Sequence, residues 1–363
     1  MSNDRPAISE DALTDGTAVP TRAAGKRSYG RVTLKDIALD LDISLATVAR
    51  AFQKDTIISE ETRQLVLRRA EQLGYRANVF ARSLATRKTR IVGVIMSSVN
   101  SPIYSEVLAK LSERIHRIDM SLMLIPGSYA QDFDASLQTL MAYSPDAILV
   151  FSGLLSEAAI EQAKHAGVPL IYFNRVSRDP DAYGVGCDNE AGAALVADLL
   201  IDSGHERLAF LSSGNDATTN IERMTGFVER TRMRGLPAPK IIPATGFSYE
   251  DGLNAALAAR EQLPAIDSLF CASDLLALGF ADEARRRFGL RIPEELSIVG
   301  CQNIALASWS SHDLTTLCLP IERMVDETLA MLSSLSQGQI VEPRVVRVPS
   351  TGITERGTTA RKK

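Results

Sequence analysis

Residues 31–90 read RVTLKDIALDLDISLATVARAFQKDTIISEETRQLVLRRAEQLGYRANVFARSLATRKTR, and they predict three short helices at the spacing of a helix-turn-helix. Thr33 can cap the first helix, with Asp36 at the third helical position in a capping-box arrangement. Ser44 and Ser59 stand where they can cap the second and third helices. The stretch is therefore predicted to fold as a small all-α domain.

The second of these helices, LATVARAF, has two distinct faces. Val48 and Phe52 are four residues apart, so they share a face that is expected to be buried. Leu45, Ala46 and Arg50 then point outward from the part of a recognition helix that meets base edges. Capped helices of this length also occur in small bundles that bind no nucleic acid, and on these residues alone that alternative stays open.

Charge is spread unevenly along the 363 residues. Residues 22–90 carry 15 Lys/Arg against 7 Asp/Glu, a net charge of +8, whereas residues 91–363 carry 24 against 33, a net charge of −9. A basic module joined to an acidic body indicates that the module alone meets phosphate groups. The alternative is a basic face that is merely solvated.

The rest of the composition argues against several other classes of protein. The four cysteines lack C-x-x-C spacing and the four histidines are scattered, so no disulfide framework, metal site or cofactor is expected. No charged-then-apolar signal pattern opens the sequence, and no apolar run reaches about 18 residues. A cytoplasmic protein without a membrane partner is expected.

Five motifs in residues 31–90 carry a resemblance to a known family. They are V-T-L-x-D-I-A, S-x-A-T-V-x-R, S-x-x-T-R, L-G-Y-x-x-N and A-R-S-L, in that order. This spacing resembles the LacI/GalR family of bacterial transcription regulators. The resemblance implies a homodimer that binds an inverted-repeat operator in double-stranded DNA. The residues expected to contact DNA are Thr33, Ser44, Leu45, Ala46, Thr47, Arg50, Gln53, Asn78, Arg82 and Leu84.

Residues 78–90 match the hinge segment of that family. There a short helix folds when two subunits meet on DNA, and a leucine wedges into the minor groove. Leu84 occupies that position, and an apolar wedge of this kind unstacks a base step. The alternative is that Leu84 packs against its own domain. At the other end, residues 1–30 lack periodicity and are expected to be a disordered extension.

From Ile91 the sequence alternates between buried-strand and helix patterns. The predicted strands are IVGVIMSS, LMLIPG, AILVFS, PLIYFN, LAFLSS, SLFCAS and SIVGC. The predicted helices cover residues 102–118, 131–143, 156–166, 189–203, 219–234, 249–262 and 274–287. This alternation predicts βαβ units and parallel sheets in two α/β lobes. The arrangement resembles the periplasmic-binding-protein fold of the family's effector domain.

The topology implied by the resemblance sets the expected domain bounds. The chain is expected to cross between the lobes near Asp188, Leu314 and Gly338. The DNA-binding domain then covers residues 31–77 and the hinge and linker residues 78–90. The first lobe is expected to comprise residues 91–188 and 315–338, and the second lobe residues 189–314 and 339–363.

Ligands of parallel α/β sheets bind beyond the carboxyl ends of the strands. Arg175 can donate a fork to a carboxylate, a phosphate or a hydroxyl pair, and Asp274 can accept two hydroxyl hydrogen bonds. Phe247 can stack on a sugar-like ring. Each has a structural alternative, because Arg175 can pair with Asp179, Phe247 can be core and Asp274 can cap a helix. The residues expected to bind a ligand are Ser101, Tyr104, Arg175, Asn220, Phe247, Asp274 and Gln302.

Two positions depart from the family pattern. Many members have an arginine where Ile221 stands and an aspartate where Gln302 stands, both on the ligand. One basic and one acidic ligand group are therefore expected to be missing, so that the site is either less charged or has its charge on Arg175 and Asp274. These departures argue against an ordinary neutral sugar held by the usual contacts.

The function expected from these observations is a ligand-responsive transcription regulator, with repression the expected direction. Its effector is expected to be a sugar, a sugar acid or a similar metabolite. A solute-binding protein of a transport system explains residues 91–363 equally well but not the first 90. An enzyme is not expected, because the sequence shows no nucleophile elbow and no phosphate-binding glycine loop.

Overall fold

The computed structural model describes residues 32–52, 56–75, 88–97, 100–127, 133–151, 153–175, 181–214, 217–337, 339 and 342–362. The chain divides into two compact units, residues 1–82 and 83–363. The described helices of the first unit are α1 (Leu34–Leu41), α2 (Leu45–Ala51) and α3 (Glu60–Gln72).

Helix caps define these three helices as the sequence predicts. The side chains of Thr33, Ser44 and Ser59 each accept a hydrogen bond from the backbone N–H three residues later. Asp42 takes the left-handed conformation (φ 52°) at the corner between α1 and α2. Gly74 follows α3 with φ 70°, a conformation that a residue without Cβ adopts at no steric cost.

The helices pack on a small shared core. Ile37 of α1, Val48 of α2 and Val66 of α3 are fully buried together. Arg63 reaches from α3 to the end of α2, where its Nη1 donates to the carbonyl oxygen of Ala51 at 3.0 Å. Three capped helices that enclose one core leave the outer face of α2 on the surface.

The second unit contains two α/β lobes. The first lobe is built from β1 (Ile91–Met96), α4 (Pro102–Arg117), β2 (Ser121–Pro126), α5 (Phe133–Met141), β3 (Ala147–Phe151), α6 (Glu157–His165), β4 (Leu170–Phe173), β5 (Tyr183–Cys187), α11 (Ile321–Ser336) and β11 (Val345–Val348). The second lobe is built from α7 (Asn189–Asp202), β6 (Leu208–Ser212), α8 (Thr218–Met233), β7 (Lys240–Pro243), α9 (Tyr249–Ala258), β8 (Ser268–Cys271), α10 (Asp274–Phe288), β9 (Ser297–Gln302), β10 (Thr315–Cys318) and β12 (Ile353–Thr354). Short 3₁₀ turns cover Arg260–Ala265 and Ala305–Ser308.

The described strands form two six-stranded sheets. The first has the order β11-β5-β4-β3-β1-β2, and every neighbouring pair is parallel. The second has the order β12-β10-β9-β8-β6-β7, in which only the β10–β12 pair is antiparallel. Central strands such as β3 are buried at every residue, because helices cover both faces of a parallel sheet. The predicted fold class is therefore confirmed.

Several strands lacked a clear sequence signal. β5 reads YGVGC and contains two glycines, which weaken a strand pattern, and β7 reads KIIP at a sheet edge. β10, β11 and β12 are four residues or shorter and were also not predicted. Their identity as strands depends on the partners that they meet, which the local sequence does not specify.

The strand pairings correct two of the three predicted crossings between lobes. The first lies at Asp188, as predicted, between β5 and α7. Residues 315–318 were expected in the first lobe, but as β10 they pair with β9 in the second sheet. Residues 345–348 were expected in the second lobe, but as β11 they pair with β5 in the first. These pairings place the second and third crossings later, after Cys318 and after Val348. The sequence did not predict them because hydrophobic patterning does not say which sheet a short strand joins.

The four cysteines behave as small buried apolar groups. Cys187, Cys271, Cys301 and Cys318 are all unpaired and buried in strands, and burial raises the pKa of Cys301 to about 12. Among the described residues, no group of three His, Cys, Asp or Glu side chains converges as a set of metal ligands. In the same part of the chain, no helix is both long and apolar enough to cross a membrane.

Candidate DNA-binding helix and interlobe cavity

Helix α2 presents its N-terminal half to solvent. Ser44 caps the helix, and its Oγ accepts from the backbone N–H of Thr47 at 3.0 Å and lies 2.8 Å from the Thr47 hydroxyl. Leu45 is 50% exposed, and Ala46 and Arg50 are exposed as well, whereas Thr47 is half-buried. The exposed groups lie where the sequence predicts them, and their contact with DNA stays a prediction.

The capping box ahead of α1 holds the other described DNA candidate. Thr33 is exposed, and both its hydroxyl and its backbone N–H donate to Asp36 Oδ2, at 2.7 and 2.8 Å. These hydrogen bonds hold the pKa of Asp36 below its ordinary value. Four predicted DNA contacts lie outside the described residues: Gln53, Asn78, Arg82 and Leu84.

A cavity of about 590 Å³ lies between the two lobes, beyond the carboxyl ends of their strands. The first lobe lines it with Asn100, Ser101, Tyr104, Asn174 and Arg175. The second lobe lines it with Thr219, Arg223, Thr245, Gly246, Phe247, Ser248, Asp251, Ser273, Leu275 and Gln302. Its volume falls in the range of small-molecule sites.

Five of the seven predicted ligand residues line this cavity. They are Ser101, Tyr104, Arg175, Phe247 and Gln302. The Tyr104 ring meets Phe151 edge-on, with ring centroids 5.7 Å apart, so the core fixes its orientation. Gln302 ends β9 with φ 122°, a rare conformation for a residue with a side chain.

Asn220 supports the cavity wall from behind and is not among the lining residues. Its side chain is buried, and its Oδ1 accepts from the backbone N–H of Ser213 at 3.0 Å. Its Nδ2 donates to Ser212 Oγ, also at 3.0 Å. Asn220 therefore fixes the turn after β6. It does not line the cavity, contrary to the predicted direct contact with the ligand.

Asp274 is turned into the interior of the second lobe, away from the cavity. Its carboxylate is fully buried and accepts from the backbone N–H of Ile304 at 2.8 Å and from the Thr316 hydroxyl at 2.5 Å. Burial raises its pKa to about 6. The neighbouring Ser273 caps α10 and lines the cavity. Asp274 therefore does not line the cavity, contrary to its predicted ligand role. It is not the helix cap either, which was the alternative, because Ser273 takes that position.

Arg223, which is not among the residues predicted from the sequence, supplies the basic group that was expected to be absent. Arg223 is 1% exposed and lines the cavity. Its Nε donates to Asn189 Oδ1 at 2.9 Å and its Nη1 to the carbonyl oxygen of Ala272 at 2.6 Å. Its Nη2 has no hydrogen-bond partner among the described residues. Ile221, which the analysis matched to the family's arginine, is instead 44% exposed.

A second buried polar atom without a partner among the described residues lies in the wall that the first lobe gives to the cavity. Asn174 lines the cavity and is 4% exposed, and its Oδ1 meets no hydrogen-bond donor in the described part of the chain. Its backbone is held in the left-handed conformation (φ 57°), where its N–H donates to the Val185 carbonyl at 2.7 Å. A buried polar group left unpaired is costly, so both atoms are suited to a polar ligand.

The carboxylate on the cavity wall is already occupied. Asp251 accepts from the backbone N–H of Ser248 at 2.9 Å, from the Ser248 hydroxyl at 2.6 Å and from Thr245. Burial alone would raise the pKa of Asp251, but these hydrogen bonds lower it below its ordinary value. The lining residues therefore offer the donors of Arg175 and Arg223 to a ligand but no carboxylate that is free to accept.

One sequence signal could have found Arg223. Along α8 the buried residues include Asn220, Arg223 and Phe227, which are three and four apart and share one face. An arginine on the buried face of a helix needs a specific partner, since Arg is almost never buried alone. Ile221 is not on this buried face, so the residue type at position 221 does not decide whether the helix supplies a basic group.

This geometry defines a class of protein: a helix-turn-helix module joined to a two-lobed body that encloses a ligand cavity. Comparisons with known proteins agree with this class. Residues 33–78 match the model of bacterial regulatory proteins of the lacI family, and residues 197–359 match that of the periplasmic binding protein-like domain. The chain therefore carries a lacI-family helix-turn-helix domain followed by a periplasmic binding protein-like domain, as the sequence motifs indicated.

Relatives match over most of the chain. Catabolite control protein A of Priestia megaterium is 28% identical over 321 residues, which cover 88% of this chain and 96% of that protein. The ribose operon repressor of Haemophilus influenzae is 29% identical over 303 residues, covering 82% and 90%. These relatives are regulators, which favours the regulator over the transport protein.

Solved structures agree with the fold. The Lac repressor dimer bound to operator and the anti-inducer ONPF superposes with a TM-score of 0.80 at 21% identity, covering 91% of this chain and all of that one. The complex of the transcriptional regulator CelR with cellobiose gives a TM-score of 0.67 at 24% identity, covering 90% and all of that chain. At these identities the likeness establishes the architecture.

Proposed function

We propose that this regulator is a repressor that binds an inverted-repeat operator as a homodimer and responds to a small molecule in the interlobe cavity. The observation that carries the proposal is the joining of two features in one chain. Helix α2 exposes Leu45, Ala46 and Arg50, and the cavity holds two buried polar atoms without partners, on Asn174 and Arg223. A protein that binds bacterial DNA is located in the cytoplasm, and we propose no catalytic step.

The cavity favours a ring that carries hydroxyl groups. Tyr104 and Phe247 offer aromatic faces, Arg223 Nη2 offers a donor and Asn174 Oδ1 offers an acceptor. A hydroxyl both donates and accepts, so a sugar or sugar acid satisfies both atoms. Two similar proteins, a ribose operon repressor and a regulator CelR in complex with cellobiose, support this class. Because Arg223 supplies a basic group, a neutral sugar is compatible with the cavity, contrary to the expectation from the sequence.

Operator binding is tested by selecting binding sites from random or genomic DNA with the full-length protein. We expect an inverted repeat, since two-fold symmetry of a dimer is mirrored in its site. Exchanging Leu45 and Ala46 for another member's pair should change the selected half-site. Leu45→Lys/Ala46→Lys as a pair would instead raise general affinity for phosphate. An unchanged half-site after the exchange would exclude these two residues from base recognition.

Ligand binding is tested by a thermal-shift panel of D-ribose, cellobiose, D-gluconate and adenine. A compound present at 100 times its Kd should stabilise the protein by about 2.7 kcal/mol and raise its Tm accordingly. Arg223→Met should abolish the shift for the same compound, whereas Arg230→Met, on the same helix but paired with Asp198, should keep it. If a compound shifts both variants equally, it binds elsewhere than at Arg223.

A further inference from the structure

The arginine in the cavity wall is connected, side chain by side chain, to the opposite lobe. Arg223 Nε donates to Asn189 Oδ1 at 2.9 Å, and Asn189 Nδ2 donates to Glu222 Oε2 at 2.7 Å. Glu222 in turn accepts a two-pronged contact from Arg347, whose Nη2 lies 2.6 Å from Oε1 and whose Nη1 lies 3.0 Å from Oε2. We call these four side chains the interlobe relay.

The relay crosses from one lobe to the other. Arg223 and Glu222 lie on α8 and Asn189 opens α7, all in the second lobe. Arg347 lies on β11, which pairs with β5 in the sheet of the first lobe. The Glu222–Arg347 ion pair therefore joins the two lobes beside the chain crossings at Asp188 and after Val348.

Charge balance makes the relay more than a row of neighbours. Arg223 is 1% exposed, and its hydrogen bonds go to an amide and a backbone carbonyl, with no carboxylate of the described residues directly on it. A buried cation of this kind needs a nearby anion. Glu222 is one such anion at one remove, because the Asn189 amide lies between them with its oxygen toward Arg223 and its nitrogen toward Glu222. The buried carboxylate of Asp274 is a second anion that interacts with Arg223 electrostatically. Glu222 is thus shared between the cavity arginine and the arginine of the opposite lobe.

We propose that Glu222 and Arg347 are positioning residues for effector recognition: they hold Arg223 toward the cavity and the two lobes in register. A ligand that accepts a hydrogen bond from Arg223 Nη2 then acts on the same carboxylate that joins the lobes. Domain closure around a ligand is a common transition in two-lobed proteins. The Glu222 carboxylate would link such a closure to the contact between the ligand and Arg223. The inference rests on the proposed effector-regulated function, but its first test needs no effector.

The first test measures the distance between the lobes. Spin labels are placed on cysteines introduced at Glu157 and Glu229, both exposed and in different lobes, and labelled chains are diluted with unlabelled chains so that only distances within one chain contribute. The native cysteines are buried and stay unlabelled. We expect the distribution to shift or broaden in Glu222→Gln and in Arg347→Met. Both changes break the ion pair, and Gln keeps an oxygen for Asn189.

The matched control is Asp198→Asn. Asp198 of α7 accepts from Arg230 Nε of α8 at 2.9 Å, so the variant removes an arginine–carboxylate pair that also involves α8 but lies within a single lobe. Its distance distribution should equal that of the wild type. Wild-type distributions in both relay variants would overturn the proposal, and so would equal broadening in the control.

The second test uses the panel compound that most raises Tm among D-ribose, cellobiose, D-gluconate and adenine. Its affinity should fall about five- to tenfold in each relay variant, a change within the usual range of coupling between sites. The Glu222→Gln/Arg347→Met double variant should lose no more than either single one, because the two residues act through one contact. Additive losses would overturn the shared role. If none of these compounds binds, the proposed effector class fails, while the interlobe distances still decide the relay.

Discussion

The DNA-binding helix and the interlobe cavity both carry polar functional groups, but they do so under opposite physical conditions. On α2, Ser44, Leu45 and Arg50 stand in solvent, and the helix is held from below by Val48. In the cavity wall, Arg223 is nearly inaccessible, and its orientation depends on the groups around it. Exposed contacts can change with little effect on the fold, whereas buried ones contribute to function and stability together.

Asp274 and Arg223 sharpen this contrast within the cavity wall itself. Both are buried and charged, but Arg223 keeps an unpaired nitrogen on the cavity, while both carboxylate oxygens of Asp274 are used inside the lobe. Gly300 is fitted closely beside this carboxylate, since a Cβ there would lie 2.2 Å from Asp274 Oδ1. Burial and charge alone therefore do not distinguish a ligand contact from a structural one. The distinguishing feature is a hydrogen-bonding atom that has no partner within the protein.

The largest expected effect comes from Asp274→Ala. The change leaves the Ile304 N–H and the Thr316 hydroxyl without their buried acceptor, so we expect the free energy of unfolding to fall by about 2–5 kcal/mol. Asp274→Asn should cost less than half as much, because its amide can still accept from Ile304. Urea unfolding of the three proteins measures the difference. Equal stability of Asp274→Ala and the wild type would mean that the carboxylate is not structural.

The titration of Asp274 gives the next largest effect. Its pKa rises from 3.8 to about 6 on folding, so its contribution to stability is fully present below pH 3.8 and is lost as the pH rises through 6. The shift corresponds to about 3 kcal/mol. The difference in unfolding free energy between the wild type and Asp274→Asn, followed from about pH 3 to pH 7, should change by about that amount. A difference independent of pH would contradict the burial of the carboxylate.

On the DNA module, Arg50→Ala should act on function alone. Loss of one two-pronged base contact costs about 1–3 kcal/mol of operator affinity. Because Arg50 is exposed, the unfolding free energy should stay within about 0.5 kcal/mol of the wild type. Titrations of the selected operator, with unfolding curves beside them, check both expectations. A stability loss as large as the affinity loss would assign Arg50 to the fold.

Two helix caps provide the smallest and most closely matched comparison. Ser44→Ala and Ser59→Ala each remove a hydrogen bond to the backbone three residues later, which should lower stability by about 1 kcal/mol. Only Ser44 opens the candidate recognition helix, so only its replacement should also weaken operator binding. Equal affinities of the two variants would remove Ser44 from the DNA surface.

The same contrast explains what could be predicted from the sequence. Caps at Thr33, Ser44 and Ser59 announce their helices locally, and exposed positions follow from helical period, so the DNA module was predicted almost completely. Buried strands such as β3 are equally plain, since a parallel sheet covered on both faces needs a continuous apolar run.

Properties that depend on distant partners were harder to predict. Residues 315–318 and 345–348 belong to sheets that only their pairing partners identify. Five of seven ligand candidates line the cavity because strand ends converge there. The spacing of residues along a helix, however, does not tell a polar residue that faces the cavity from one that faces the interior of the lobe. Asp274 was therefore placed on the ligand and Arg223 was missed, although spacing along α8 put Arg223 on the buried face.

The central claim is that the surface of α2 and the buried Arg223 serve one regulated function. The most direct measurement is the operator affinity of the wild type and of Arg223→Met, each with and without the panel compound that raises the wild-type Tm. We expect the compound to change wild-type affinity by about 1–3 kcal/mol, the usual size of coupling between sites. Arg223→Met should bind the operator normally and show no change with the compound. An equal change in both proteins, or no change in the wild type, would contradict the account.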